Sequence, residues 1–295
     1  MRSLHPRIPA SRLPAIAAGV VATLISAAAA NAEPSGGTNL STPAHTAYLQ
    51  AHAPGDHMGW EIPQSTGPGL PALAAVPFAA TANAASTVRG LDVSGYQGNV
   101  NWSSVKSNGA KFAYVKATEG TYYTNPYFSQ QYDGSYNAGL IRGAYAFGVP
   151  SYSSGASQAD YLVNHGGAWS ADGKTLPGLL DIEYNPNGAE CYGLSKSQMV
   201  SWIRDFVNTY HAKTSRWPTI YSTLDWWSTC TGNSAAFASN DPLFIARYAS
   251  TPGTLPAGWS FYTFWQYADS GTFPGDQDVF NGTQARLVAL ATNSG

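Results

Sequence analysis

Charge is scarce in this sequence. Asp, Glu, Lys and Arg make up 11% of its 295 residues, against the roughly 25% usual in soluble proteins, so other polar groups must build much of the surface. The formal net charge is −2, which removes the electrostatic reason to expect a nucleic-acid partner or an anionic membrane surface. Cysteine is nearly absent, and the two present have no further ligands nearby with which to hold a metal. Histidine offers a metal little more: four of the six lie at or before His57, and His165 and His211 read as solvated helix ends. After residue 32 no segment is long and apolar enough to span a bilayer. What the chain does have is 30 Gly, 18 Tyr and 9 Trp, a balance that suits an extracellular protein stacking against uncharged ligands such as sugars.

The N-terminus is basic at Arg2, Arg7 and Arg12, apolar from Leu13 to Ala30, and ends in the small-x-small run Ala30-Asn31-Ala32. Residues 1–32 therefore read as a secretion signal. The alternative, a retained anchor, is disfavoured because the apolar stretch is short, Ala-rich and lacks a stop-transfer flank. Export would place Cys191 and Cys230 in an oxidising compartment with only each other to pair with, so a disulfide between them is expected. Residues 33–87 are rich in Ala, Pro, Gly and Thr without a sustained apolar period and read as a pro-segment or spacer, mostly disordered. Within it the island His57-Met58-Gly59-Trp60-Glu61 is compatible with docking on a folded domain, but a spacer carrying one chance aromatic is the preferred reading.

At Val88 the texture changes, and residues 88–295 read as one folded domain. Short apolar runs recur at Arg89–Ser94, Lys111–Lys116, Ile141–Phe147, Pro177–Glu183, Trp217–Ser222, Leu243–Tyr248, Phe261–Gln266 and Asp276–Phe280, separated by turn or helix signals. Asn125-Pro126 and Ser153–Asn164 open or form helices. The clearest helix follows the fourth run: Ser195 can cap it, Gln198 can complete a capping box, and Leu194 can staple onto Met199. Its apolar positions Met199, Trp202, Ile203, Phe206, Val207 and Tyr210 form a core-facing stripe. Strands alternating with helices over about 200 residues predict an α/β class protein, a TIM-like parallel (β/α) barrel. The last strands lie too close together for full helices, so the outer ring should be incomplete in the C-terminal part.

The fourth run, Leu179-Leu180-Asp181-Ile182-Glu183, ends in two carboxylates on alternate positions. On a strand they share a face about 7 Å apart. If that face is desolvated, mutual repulsion and burial let one carboxyl keep its proton near neutral pH, as a general acid requires. Asp92 lies in the first run, and Asp276 and Asp278 lie in the last. A closed barrel brings first and last strands together, so these acids can converge with Asp181 and Glu183 on one mouth. From the residues alone that cluster fits glycosidic hydrolysis or divalent-metal capture, or is a set of unrelated turn aspartates.

Six motifs occur in order: Gly90-Leu91-Asp92-Val93-Ser94 with Tyr96-Gln97-Gly98; Phe112 to Gly120; Gly143-Ala144-Tyr145-Ala146-Phe147; Leu180-Asp181-Ile182-Glu183; Ile220-Tyr221-Ser222; and Trp265-Gln266-Tyr267. Together they resemble glycoside hydrolase family 25, the secreted muramidases often called Chalaropsis-type lysozymes, over about residues 88–290. The resemblance implies hydrolysis of the β-1,4 bond between N-acetylmuramic acid and N-acetylglucosamine, with peptidoglycan glycan strands as partner. It implies Glu183 as general acid/base and Asp181 as the group that orients the substrate's acetamido nucleophile, in a retaining, substrate-assisted mechanism; direct displacement by water is the alternative. It assigns Asp92 to the family's first-strand aspartate and Asp278 to its late acid, with Asp276 the weaker match. Tyr145, Tyr221, Tyr248, Trp265 and Gln266 would line the groove, with barrel-core packing an equal rival for each, and Trp226 and Trp227 could add outer sugar contacts. No cofactor and no metal are expected, no nucleic acid, no membrane after signal cleavage, and a monomer.

Two departures stand out. Ala146 occupies a position where many family members carry histidine, and no wall-binding repeats follow the barrel motifs, so wall affinity should come from the groove or the N-terminal spacer. A chitinase-like glycosidase shares the D-x-E ending of a barrel strand, but Pro177 and Leu179 replace the earlier aspartates of that family's longer motif. A catalytically silent wall-binding module is the rival from another class, and retention of all four acids argues against it.

Overall fold

The computed structural model describes residues 43–53, 55–62 and 88–294. The expected signal at 1–32 lies outside them, as do residues 33–42 and 63–87. In chain order the elements are α1 (Pro43–His52), β1 (Val88–Val93), α2 (Trp102–Ser107), β2 (Phe112–Glu119), β3 (Tyr123–Thr124), α3 (Phe128–Asn137), β4 (Ile141–Phe147), α4 (Gly155–Leu162), β5 (Leu179–Asp181), α5 (Lys196–Thr214), β6 (Thr219–Ser222), α6 (Leu224–Thr231), β7 (Leu243–Ala246), β8 (Phe264–Ala268), β9 (Asp276–Phe280) and α7 (Gln284–Thr292). The sheet runs β1-β9-β8-β7-β6-β5-β4-β2, and a β1–β2 pairing closes it into an eight-stranded barrel, with two-residue β3 appended to β2.

The eight strands are the eight apolar runs of the sequence. Parallel pairing holds from β1 through β8, with helices α2 to α6 in the connections and none between β7, β8 and β9. In one respect the barrel departs from the expected all-parallel arrangement. β9 pairs antiparallel with both β8 and β1, because the short connection from β8 permits a hairpin but not the crossover that a parallel strand requires. The reversal leaves Asp276, the first residue of β9, at the same barrel end as Asp92, with which it is in register.

Strand alternation sorts the side chains into two layers. Inside the barrel lie Val88, Phe112, Tyr114, Ile141, Leu179, Phe244, Phe264 and Phe280. Their rings interlock, Phe112 against Phe264 at 5.1 Å and Tyr114 edge-on to Phe264 at 5.5 Å between centroids. Gly143 makes room for this packing, since a Cβ there would meet the Tyr114 ring at 2.2 Å. Leu287 and Ala291 of α7 close the end opposite the acids.

Outside the strands a second core joins sheet to helices. α5 contributes the six predicted residues, all buried, and its N-terminus carries the predicted capping box between Ser195 and Gln198. The helix expected at Asn125-Pro126 begins later, at Phe128, because the Asn125 side chain accepts the Tyr127 N–H and holds a turn there. Trp226 and Trp227 belong to this outer core and make no sugar-facing surface. Both are buried, and their indole N–H groups donate to the carbonyls of Glu190 and Ser234. The expected disulfide joins Cys191 and Cys230, tying the β5–α5 connection to α6.

Residues 43–62 depart from the spacer reading. α1 buries Leu49 in the outer core, Ala53 just after the helix joins it there, and the turns that follow carry Met58 into the barrel interior.

Candidate active site

The C-terminal ends of the strands converge on a buried group of acids. Asp92 ends the inward-facing series of β1, Asp181 closes β5, and Glu183 follows it where Ile182 N–H still donates to the Tyr221 carbonyl of β6. β9 supplies Asp278 and, nearer the mouth, Asp276. All five are buried.

Few donors answer these carboxyls. No protein donor reaches either oxygen of Asp181 or Asp278, nor Oε2 of Glu183. Asp181 and Glu183 instead lie near enough to influence each other's ionisation, as do Asp278 and Asp92. Burial is the largest influence and pushes every one of them up, because a low-dielectric site disfavours the ionised form. Glu183 rises to about 8, restrained by a backbone N–H and by Asp181. Asp92 rises to about 7 against the opposing bonds from Gln266 and Asp278. Asp181 is driven well up by burial and then by the neighbouring Glu183 charge. Asp276 and Asp278 move the same way, by burial and then by Asp92. The site thus holds protons at neutral pH and can deliver one.

Gln266 organises one wall. Its Nε2 donates to Asp92 Oδ2 and Asp276 Oδ2, both at 2.8 Å, while its Oε1 accepts from Tyr221 at 2.7 Å and Tyr248 at 3.3 Å. Tyr145, Tyr221, Tyr248 and Gln266 stand near Asp92, Asp181 and Glu183, and all four are buried, Tyr145 and Tyr221 within the barrel-interior cluster that is the rival reading for them. Trp265 does not stand with them. It alternates with Gln266 on β8 and so faces outward, packed with Leu243, Ile245 and Val279, its indole N–H donating to the Arg247 carbonyl at 2.9 Å.

One participant was ranked too low in the sequence reading, and two escaped it. Asp276, ranked below Asp278, is the member bonded to Gln266 and opposite Asp92. Lys116 and Glu119 form a fully buried ion pair of 2.6 Å beside the acids, with Tyr122 O–H also donating to Glu119. Alternation from Phe112 through Tyr114 places Lys116 inside the barrel, a signal available in the sequence. Burial lifts Glu119 to about 8 even against the Lys116 charge. Among the described residues no group of three or more His, Cys, Asp or Glu side chains is arranged to hold a metal ion.

The chain is similar to known proteins in sequence and in fold. The sequence profile of glycosyl hydrolases family 25 matches residues 91–276. The chain belongs to that family. Lysozyme M1 of Streptomyces globisporus is 52% identical over 214 residues, 71% of this chain and 73% of that one. The N,O-diacetylmuramidase of Chalaropsis sp is 50% identical over 210 residues, 70% of this chain and all of that one. The solved muramidase of Acremonium alcalophilum superposes with a TM-score of 0.69 at 59% identity, covering 70% of this chain and 99% of that one. The closed barrel with an incomplete helical ring is thus the family 25 fold. No helix among the described residues of this family 25 chain is long and apolar enough to cross a membrane.

Proposed function

We propose that this protein is a lysozyme that hydrolyses the β-1,4 bond between N-acetylmuramic acid and N-acetylglucosamine in peptidoglycan. The observation that carries the reading is the Asp181–Glu183 pair at the mouth of a family 25 barrel, in which burial in the intact chain, with Gly59 seated on Glu183, raises that carboxyl to about 8. Glu183 is positioned to give its proton to the departing glycosidic oxygen. Asp181, two residues earlier on the same face, serves to accept the N–H of the substrate's acetamido group and sharpen its oxygen as the nucleophile. The anomeric carbon then passes from leaving sugar to acetamido oxygen, and water delivered by the ionised Glu183 reopens the ring with overall retention.

Asp92 and Asp276, braced by Gln266, and Asp278 beside Asp92 would present carboxyl oxygens opposite the developing oxocarbenium charge. Tyr145, Tyr221 and Tyr248 offer ring faces and hydroxyls to the sugar. In this reading residues 1–32 direct export, residues 88–295 form the catalytic domain, and the enzyme acts outside the cell as a monomer on glycan strands. The test is digestion of purified peptidoglycan, borohydride reduction, and mass spectrometry of the fragments. New reducing ends at muramic acid are expected; new ends at glucosamine would make the enzyme a glucosaminidase.

A further inference from the structure

The mouth of the barrel is filled by this chain's own residues. Gly59 N–H donates to Oε1 of Glu183 at 2.8 Å, and the Gly59 carbonyl accepts from Tyr248 O–H at 3.3 Å. Met58, fully buried, shares the barrel-interior cluster with Tyr145, Tyr221 and Phe244. Lys116 Nζ donates to the carbonyl of Ala53 at 3.1 Å and to that of Asp56. Further out, Trp60 Nε1 donates to the Tyr184 carbonyl at 3.2 Å and Gln50 Nε2 to that of Tyr122 at 2.9 Å. The segment therefore uses its backbone to meet the polar groups of the site and its apolar side chains to anchor at both ends.

Gly59 is the tightest point. Its φ is +79°, and a Cβ there would stand 2.2 Å from the Tyr248 hydroxyl and 2.6 Å from Gln266 Oε1. Only a residue without a side chain lets the backbone lie on the floor of the site, in the space a sugar ring must enter to reach Glu183. The muramidase of Acremonium alcalophilum is 99% covered by 70% of this chain, so the remainder of this chain is additional to what that protein needs for the same barrel.

We infer that residues 43–62 are an internal peptide ligand of the substrate groove, so that the intact chain is a latent precursor whose site opens when this segment is displaced or severed from the barrel. The inference rests on the reading of Glu183 as the acid that a glycan must reach. It assigns the groove a second class of ligand, a short peptide presenting backbone N–H and C=O groups around a glycine with a buried methionine before it.

The test uses the full chain with a site-specific protease sequence introduced between Ile62 and Val88, together with an uncut full-chain Gly59→Val variant. Release of reducing ends and co-sedimentation with insoluble peptidoglycan are both measured. Severing followed by removal of the freed segment should raise the rate at least tenfold and strengthen wall binding, and Gly59→Val should raise both without cleavage. A synthetic peptide of residues 43–62, added back to the severed protein, should suppress them again. Intact and severed chains equal in rate and wall binding would overturn the inference while leaving the lysozyme reading standing. If no form cleaves peptidoglycan, the lysozyme reading fails, and wall binding alone decides latency: stronger binding after severing supports it, and equal binding overturns it.

Discussion

A carboxyl that is to protonate a leaving oxygen must still hold its proton at working pH, and Glu183 meets that condition through burial. Glu183→Gln keeps the shape and loses the proton, so it should lower the rate of peptidoglycan cleavage by about a hundred- to ten-thousandfold. Turnover of the severed protein with an unchanged melting temperature would check this; a wild-type rate would remove Glu183 from its role. The same burial has a consequence for stability. In the unfolded chain these carboxyls ionise near pH 4, whereas in the folded chain Glu183 holds its proton to about 8 and Asp92 to about 7. The folded state thus binds more protons between these limits, and their contribution is fully present below about pH 4 and lost as pH rises through 7 to 8. Melting temperature should fall from pH 5 to pH 9. Asp278→Asn, which replaces a buried carboxyl that burial and Asp92 hold protonated with a group that does not titrate, should flatten that fall, and a melting temperature that climbs over the window would refute the directions assigned.

At the scale of elements, the β5–α5 connection that follows Glu183 is held by Cys191–Cys230, which closes a loop of sequence separation 39. Loop-closure entropy of that length is worth roughly 3–4 kcal/mol, and a domain of this size loses about 2–4 °C of melting temperature per kcal/mol. The double variant Cys191→Ser with Cys230→Ser should therefore melt about 10 °C lower, measured by calorimetry; a change within a degree would mean the connection is held by packing alone. Much of this framework was legible. The D-x-E strand end, the capping box at Ser195 and the α5 stripe are local patterns, and local patterns survive into the fold. Two signals lay in plain alternation: Trp265 cannot face the same way as Gln266, where the reading put both in the groove, and Lys116, to which it gave no place, must face the way Tyr114 does. The docking of residues 57–61 had a signal in their apolar island, which the spacer reading outweighed; the helix before it had none. α1 buries little besides Leu49, so its helix depends on the barrel surface it meets, and a window of Ala, Pro and Gly around it gives no period from which to foresee that surface.

For the molecule as a whole, what matters is that the occupant of the groove and the groove belong to one chain. Tethered, the segment faces its site at an effective concentration on the order of millimolar, so even weak docking keeps the mouth closed, and no dilution of the intact protein can open it. Once the chain is cut between Ile62 and Val88, rebinding becomes bimolecular and occupancy depends on the actual concentration of the freed piece. The hydrogen bonds from Gly59 and Lys116 and the burial of Met58 set how far that concentration must fall. Specific activity of the intact chain should accordingly be independent of protein concentration from micromolar to nanomolar. The severed but unseparated mixture, equimolar in segment and barrel, should gain specific activity on dilution, along a curve whose midpoint lies at twice the dissociation constant of the segment. Met58→Ala, which removes the deepest anchor without touching Glu183, should move that midpoint to higher concentration by roughly tenfold or more, since burial of such a side chain is worth about 1.5–3 kcal/mol. A severed mixture whose specific activity ignores dilution, or a midpoint that ignores Met58, would show that the segment sits at the mouth without competing for it.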